Sequence, residues 1–166
     1  MYIETERMII RNYTKDDLKD LQEILGDPEV MKNCEPTYSI EKTLDFLKEF
    51  CIGKMGAVAA VHKESSKMIG YILFNRIEEG LYEIGWFFNR NFWCQGYAYE
   101  SCKAVIDYAF SELNAQKIFA ETIDAKKSVG LMKKLGMQLE DIEHSKIKDN
   151  DEYLHCYHLL KDDWSK

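Results

Sequence analysis

The segment Trp86-Phe87-Phe88-Asn89-Arg90-Asn91-Phe92-Trp93-Cys94-Gln95-Gly96-Tyr97-Ala98-Tyr99-Glu100 constrains this chain more than any other. It reads as a β-strand that ends, turns through a short loop and opens directly into an amphipathic helix. Gly96 at the turn lets the backbone approach a ligand closely. The N–H groups of a first helical turn have no partner inside the helix. With the helix dipole they form an anion site suited to phosphate. The segment therefore predicts a phosphorylated cofactor.

Its surroundings fix the topology. Helical spacing of Ala98, Cys102, Val105, Ile106, Ala109, Phe110 and Leu113 predicts a helix from Gly96 to Leu113, ended by Asn114. Strands are expected on either side, at Leu81 to Phe88 and Lys117 to Ile123. A crossover helix makes those two parallel. Upstream, Gly56 to Lys63, Met68 to Ile77 and Leu81 to Phe88 are joined by short turns and predict an antiparallel meander. Arg7 to Tyr13 reads as a further strand. Thr14 caps a helix that runs to Leu25, with Asp16 and Asp17 in its first turn, where the dipole favours acids. A short helical turn follows Pro28, and Ser39 caps another helix. Ser128 to Leu135 is a short helix closed by Gly136. Met137 to Lys148 and Glu152 to Leu160 form a last hairpin around Asp149-Asn150-Asp151. The expectation is one α/β domain over residues 1–166, a mixed sheet flanked by helices.

Composition narrows the function. The chain has 166 residues, 46% of them hydrophobic, which suits a single domain with a real core. Its net charge of −7 makes it a poor partner for nucleic acid and a better host for a cationic amine. No apolar run approaches the ~20 residues of a membrane span, and the N-terminus does not read as a signal peptide. Five cysteines without a C-x-x-C give neither metal spacing nor a disulfide framework. Reduced thiols in the cytoplasm are the simplest account.

Four segments then resemble, in order, the GNAT superfamily of acetyl-CoA-dependent N-acetyltransferases. They are closest to its RimJ/RimL-like branch, which acetylates the N-terminal amines of ribosomal proteins. Glu4-Thr5-Glu6-Arg7-Met8-Ile9-Ile10-Arg11 is similar to that branch's opening, and Asp27-Pro28-Glu29-Val30-Met31 to its "DPEVM" segment. Trp93-Cys94-Gln95-Gly96-Tyr97-Ala98-Tyr99-Glu100 resembles its pyrophosphate loop, and Ser128 to Met137 its "S…EKLGF" segment. The resemblance implies a mostly antiparallel sheet splayed at its centre, with helices on both faces. It implies acetyl-CoA as cosubstrate and no metal. The main chain of Trp86, Phe87 and Phe88 would meet the pantetheine arm. Trp93, Cys94, Gln95, Gly96, Tyr97 and Ala98 would hold the pyrophosphate, and Ser128 would lie against the cofactor. Homodimers are frequent in that branch, which leaves a homodimer open. The sequence departs from the family at Cys94, where Gly is usual, at Ala125, where Asn is frequent, and at Met132, where many members carry a Tyr general acid.

Acetyl transfer needs a neutral amine, so a base is required. Glu83 is the first candidate. It shares a strand face with Leu81, Gly85 and Phe87, and a charge in an apolar strand is costly unless used or exposed. Glu121, on the expected parallel neighbour, is the second. Both also read as solvated strand acids. Ser128 and Tyr157 are candidate proton donors, with a helix N-cap and a core aromatic as their ordinary readings. Cys94 at a helix N-terminus could be nucleophilic, but direct attack by the amine is the family norm. Arg90, Lys126, Lys127, Lys133 and Lys134 could offset cofactor charge. The expected function is an N-acetyltransferase acting on a protein N-terminus or a small-molecule amine. The alternative is a module that binds CoA or a protein and has lost catalysis. A third reading is a different phosphate-ligand enzyme.

Overall fold

The computed structural model describes residues 1–147 and 150–164. The chain divides into two compact units, one holding Met1–Asn75 and Trp86–Val105, the other Arg76–Gly85 and the chain from Ile106. The hydrogen-bonded strands lie in the order Tyr2–Glu4, Met8–Asn12, Ala57–His62, Met68–Glu78, Leu81–Phe88, Lys117–Thr122, Asn150–Leu160 and Gln138–Ile147.

In the first unit, β1 (Tyr2–Glu4), β2 (Met8–Asn12), β3 (Ala57–His62) and β4 (Met68–Glu78, its part as far as Asn75 lying here) pair antiparallel. The expected strand at Arg7 to Tyr13 is β2. The three residues of β1 are too few to show a period, so no sequence signal marked them. Along β2, Met8 and Ile10 are buried while Ile9 and Arg11 are half-buried, the alternation of a strand with one core face. Every residue of β3 is buried, as in a strand covered on both faces. Helices α1 (Leu18–Leu25), α2 (Pro28–Met31) and α3 (Ile40–Phe46) cover this ladder. Leu21, Ile24 and Leu25 of α1 share a core with Met31, Leu47, Ala57, Ala59, Val61, Met68 and Tyr71. Ser39 caps α3 as expected, its hydroxyl accepting from Lys42 N–H at 3.1 Å. Beyond α3 the chain widens into a π-helical turn over Leu47–Gly53.

Thr14 and Asp17 form a capping box at the tight turn that leads into α1. The Asp17 carboxylate, 5% exposed, also receives both Nη atoms of Arg11 at 2.8 Å. Burial pushes the Asp17 carboxyl up, but hydrogen bonds from Arg11 and Thr14 outweigh it and hold the group below its ordinary value. A lowered carboxyl adds stability above its unfolded pKa and loses it as pH falls through the folded value. Arg11→Ala strands a buried carboxylate and is expected to cost about 3 kcal/mol in urea unfolding at neutral pH. The loss should shrink as the medium is acidified, because Asp17 then protonates in both states.

The second unit starts at the end of β4. Glu79 and Gly80 turn the chain into β5 (Leu81–Phe88, its part as far as Gly85 lying here), so these strands run antiparallel. Gly80 takes φ +75, and its carbonyl accepts from Gln116 and Lys117 N–H at 2.7 and 3.0 Å. Strand β6 (Lys117–Thr122) lies parallel to β5, as the crossover through α4 (Tyr97–Ser111) requires. Asn114 ends that helical stretch with φ +53. Strands β7 (Gln138–Ile147) and β8 (Asn150–Leu160) pair antiparallel, with β8 also antiparallel to β6. The expected turn residue Asp149 lies outside the described residues. Helix α5 (Lys127–Lys134) is closed by Gly136 at φ +81. The final turn, α6 (Lys161–Trp164), is tied by the Trp164 indole donating to Asp107 at 2.7 Å. Ile84, Ile106, Ile118, Met132, Tyr157 and Leu159 are buried in this unit. The sheet is mixed and mostly antiparallel, with a parallel pair and flanking helices.

Candidate active site

The loop between β5 and α4 belongs to the first unit. Buried Asn89 opens it: its N–H donates to Ile69 O at 2.8 Å, and its side chain accepts from Asn91 N–H at 3.1 Å. A tight turn at Arg90–Phe92 follows. The Trp93 indole then folds back and donates to Phe88 O at 2.7 Å. The Trp93 indole N–H and the Phe88 carbonyl are thus paired with each other, which sequence alone did not show. The Phe88 ring lies over Gly70, where a Cβ would come within 2.5 Å of it. Phe87 packs beside Tyr71, with centroids 5.9 Å apart, and Trp86 is half-buried.

Cys94 and Gly96 both take left-handed backbone, at φ +60 and +85. That explains why Gly is usual at the first position and necessary at the second. Cys94, Gln95 and Gly96 are exposed. Among the described residues, the N–H groups of Cys94, Gln95, Gly96, Tyr97 and Ala98 donate to no other backbone group, whereas Glu100 N–H is already bonded to Gly96 O. A row of amides with no backbone acceptor among the described residues, its first three residues exposed, at the start of a fifteen-residue helix fits a diphosphate.

Arg7, which sequence reasoning did not connect to this loop, reaches it. Its Nη1 donates to Gln95 O at 2.9 Å, and its Nε donates to Glu100 Oε2 at 2.7 Å. The guanidinium also lies over the Tyr97 ring, 4.3 Å from its centre. Tyr97 is itself buried and meets His62 Nε2 through its hydroxyl at 3.1 Å. Arg90 is paired with Asp27 at 3.1 Å and so belongs to a different contact.

Glu83 and Glu121 lie in the second unit. The parallel register of β5 and β6 covers Leu81↔Lys117, Tyr82↔Ile118 and Glu83↔Phe119. Beyond it, Ile84 and Gly85 have no registered partner in β6 among the described residues. Facing positions and alternate residues share a face, so Glu83, Phe119 and Glu121 are on one side. On β8, Cys156 and His158 join them, opposite Glu121 and Phe119. Cys156 Sγ donates to Glu121 Oε1 at 3.8 Å. Glu83 is half-buried, and burial first, then the charge of Glu121, pushes its carboxyl above the ordinary value. A carboxylate of raised pKa is a stronger base than a solvated one.

Ser128 is not the cap of α5. The Asp124 carboxylate takes that place, accepting from Lys126 and Lys127 N–H at 3.0 Å each. Ser128 is half-buried inside the first turn. Asp capping three residues ahead of the helix was open to inspection, but Ser outweighed it on position. Tyr157 and Met132 are core residues, 4% and 1% exposed. Among the described residues no His, Cys, Asp and Glu cluster could hold a metal ion.

A mixed sheet with a parallel pair, and a row of amides where a strand hands over to a long helix, fit an enzyme that holds a phosphorylated cosubstrate. Residues 7–138 match the family model described as an acetyltransferase (GNAT) domain, and the chain belongs to that family. It is therefore an acetyltransferase with acetyl-CoA as cosubstrate. It is 30% identical over 170 residues to the uncharacterized N-acetyltransferase YnaD of Bacillus subtilis, covering 99% of this chain and 100% of the relative. The crystal structure of a GNAT-family acetyltransferase from Bacillus anthracis is similar with TM-score 0.89 and 27% identity, covering 98% of this chain and 99% of that one. That of a spermidine N-acetyltransferase from Vibrio cholerae in complex with CoA and spermine has TM-score 0.85 at 16% identity, covering 98% and 100%.

Proposed function

We propose that this protein transfers the acetyl group of acetyl-CoA to a primary amine by direct attack, with Glu83 as base or amine anchor. The observation that carries the reading is the row of amides from Cys94 to Ala98 with no backbone acceptor among the described residues. Acetyl-CoA supplies the activated acetyl group as a thioester and leaves as the thiol. The amides of that loop hold the diphosphate. The β5 backbone at Trp86 and Phe87 meets the pantetheine arm, and Ser128 lies alongside. Glu83 accepts a proton from the incoming ammonium, directly or through one water, so that the nitrogen lone pair is free to attack. Glu121, on the same face, adds negative charge that favours a cationic acceptor. Water protonates the departing thiolate, which needs little help.

The acceptor is a protein N-terminal amine, as in the RimJ/RimL-like branch, or a small amine such as a polyamine. The 166 residues work as one acyltransferase domain. All five cysteines are free thiols, which supports a cytoplasmic setting.

An acceptor screen read by free-thiol release tests this. N-terminal peptides and polyamines are incubated with acetyl-CoA, and at least one should release thiol stoichiometrically with acetylated product. Thermal stabilisation by CoA without any product would favour a binding module instead. Equal stabilisation by nucleotides that lack pantetheine would point to another phosphate ligand.

A further inference from the structure

Arg7 precedes the loop by 88 residues in sequence yet donates to the carbonyl of Gln95 at 2.9 Å. In a trans peptide the C=O and the following N–H point in opposite directions, and no peptide bond among the described residues is cis. Holding Gln95 O toward Arg7 therefore turns the Gly96 N–H away from Arg7, toward the exposed side of the loop. The guanidinium is itself held in place. Its Nε bonds Glu100 Oε2 at 2.7 Å, and its plane rests on Tyr97. A Cβ on Gly96 would come within 3.2 Å of Arg7 Nη2, so guanidinium and loop are already close.

Glu100 makes the second half of the argument. A carboxylate in the first turn of α4 would repel an anion bound at the same helix end. Three donors converge on it: Thr5 Oγ1 at 2.6 Å, Arg7 N–H at 2.8 Å and Arg7 Nε. One side chain thus fixes the amide plane and cancels the nearest negative charge.

We propose that Arg7 is a positioning residue for the diphosphate loop, acting through Gln95 and Glu100. The proposal rests on the acetyl-CoA reading above. The tests are Arg7→Lys, whose single ammonium can keep the Glu100 pair but not both contacts, and Arg7→Ala. Binding of CoA is compared with that of S-acetylpantetheine, which carries no phosphate, and each variant's Tm is recorded. We expect both variants to bind CoA about tenfold more weakly, the loss of one charge-assisted hydrogen bond. S-acetylpantetheine binding should stay unchanged, with the Tm of Arg7→Lys near wild type. Unchanged CoA affinity, an equal loss for both ligands, or failure of both variants to fold would each overturn the proposal. If wild type binds CoA no better than S-acetylpantetheine, the acetyl-CoA reading itself fails.

Discussion

Glu83→Gln is expected to lower kcat/KM for acetyl transfer about a hundredfold, the loss typical of removing a general base, while raising Tm. The two effects have one cause. Burial and the neighbouring Glu121 charge both disfavour the ionised Glu83. A group whose folded pKa is raised adds stability below its unfolded pKa, and that contribution is lost as pH rises through the folded value. At neutral pH the ionised side chain is therefore a burden on the fold, and the neutral amide relieves it. The proposed mechanism uses the same ionised form, so activity should fall as pH drops through a value above glutamate's ordinary one. The pH profile of kcat/KM and thermal unfolding at pH 7 check the two parts. A Glu83→Gln enzyme with unchanged kcat/KM would remove Glu83 from the chemistry. A lowered Tm would contradict the electrostatic account.

Gly96→Ala and Cys94→Gly should act in opposite directions. At φ +85 an alanine suffers the left-handed penalty of about 1–2 kcal/mol, and its Cβ meets Arg7 Nη2. The variant should lose that much stability and bind CoA at least about tenfold more weakly, because the displaced amide no longer faces the ligand. Cys94 already bears the left-handed strain at φ +60. Glycine there removes it, less the extra chain entropy of a glycine in the unfolded state, for a net gain of ~0.5 kcal/mol. The amide proposed to face the ligand is kept, so CoA affinity should not fall. Urea unfolding and calorimetry with CoA separate the two cases. A stabilised Gly96→Ala would mean that this backbone conformation is not required.

Local chemistry was legible wherever a short stretch of chain settles the outcome. The meander, the helix from Tyr97 to Ser111 and the caps at Ser39, Asn114 and Gly136 follow from period and from residues that tolerate particular backbone angles. The parallel pairing of β5 with β6 followed from handedness, since a crossover helix can return only one way. The misses share a different character. Strand β1 exists because Ile3 finds Ile10, and nothing in three residues announces that partner. Asp124 rather than Ser128 caps α5 because the chain turns two residues earlier than the serine suggests. The Trp93 indole closes on Phe88 O, five residues back, a contact that its place in the sequence does not announce.

The sequence alone determined that a strand hands over to a helix at Gly96, because glycine geometry and apolar period act within a few residues. It also determined the faces of β5, because alternation needs no partner. Only the tertiary structure decided that Arg7 grips Gln95 and Glu100, and that the face of Glu83 also carries Glu121, Cys156 and His158. Those contacts join residues far apart in the chain. Their energy depends on a register and a direction of approach that exist once the strands have paired.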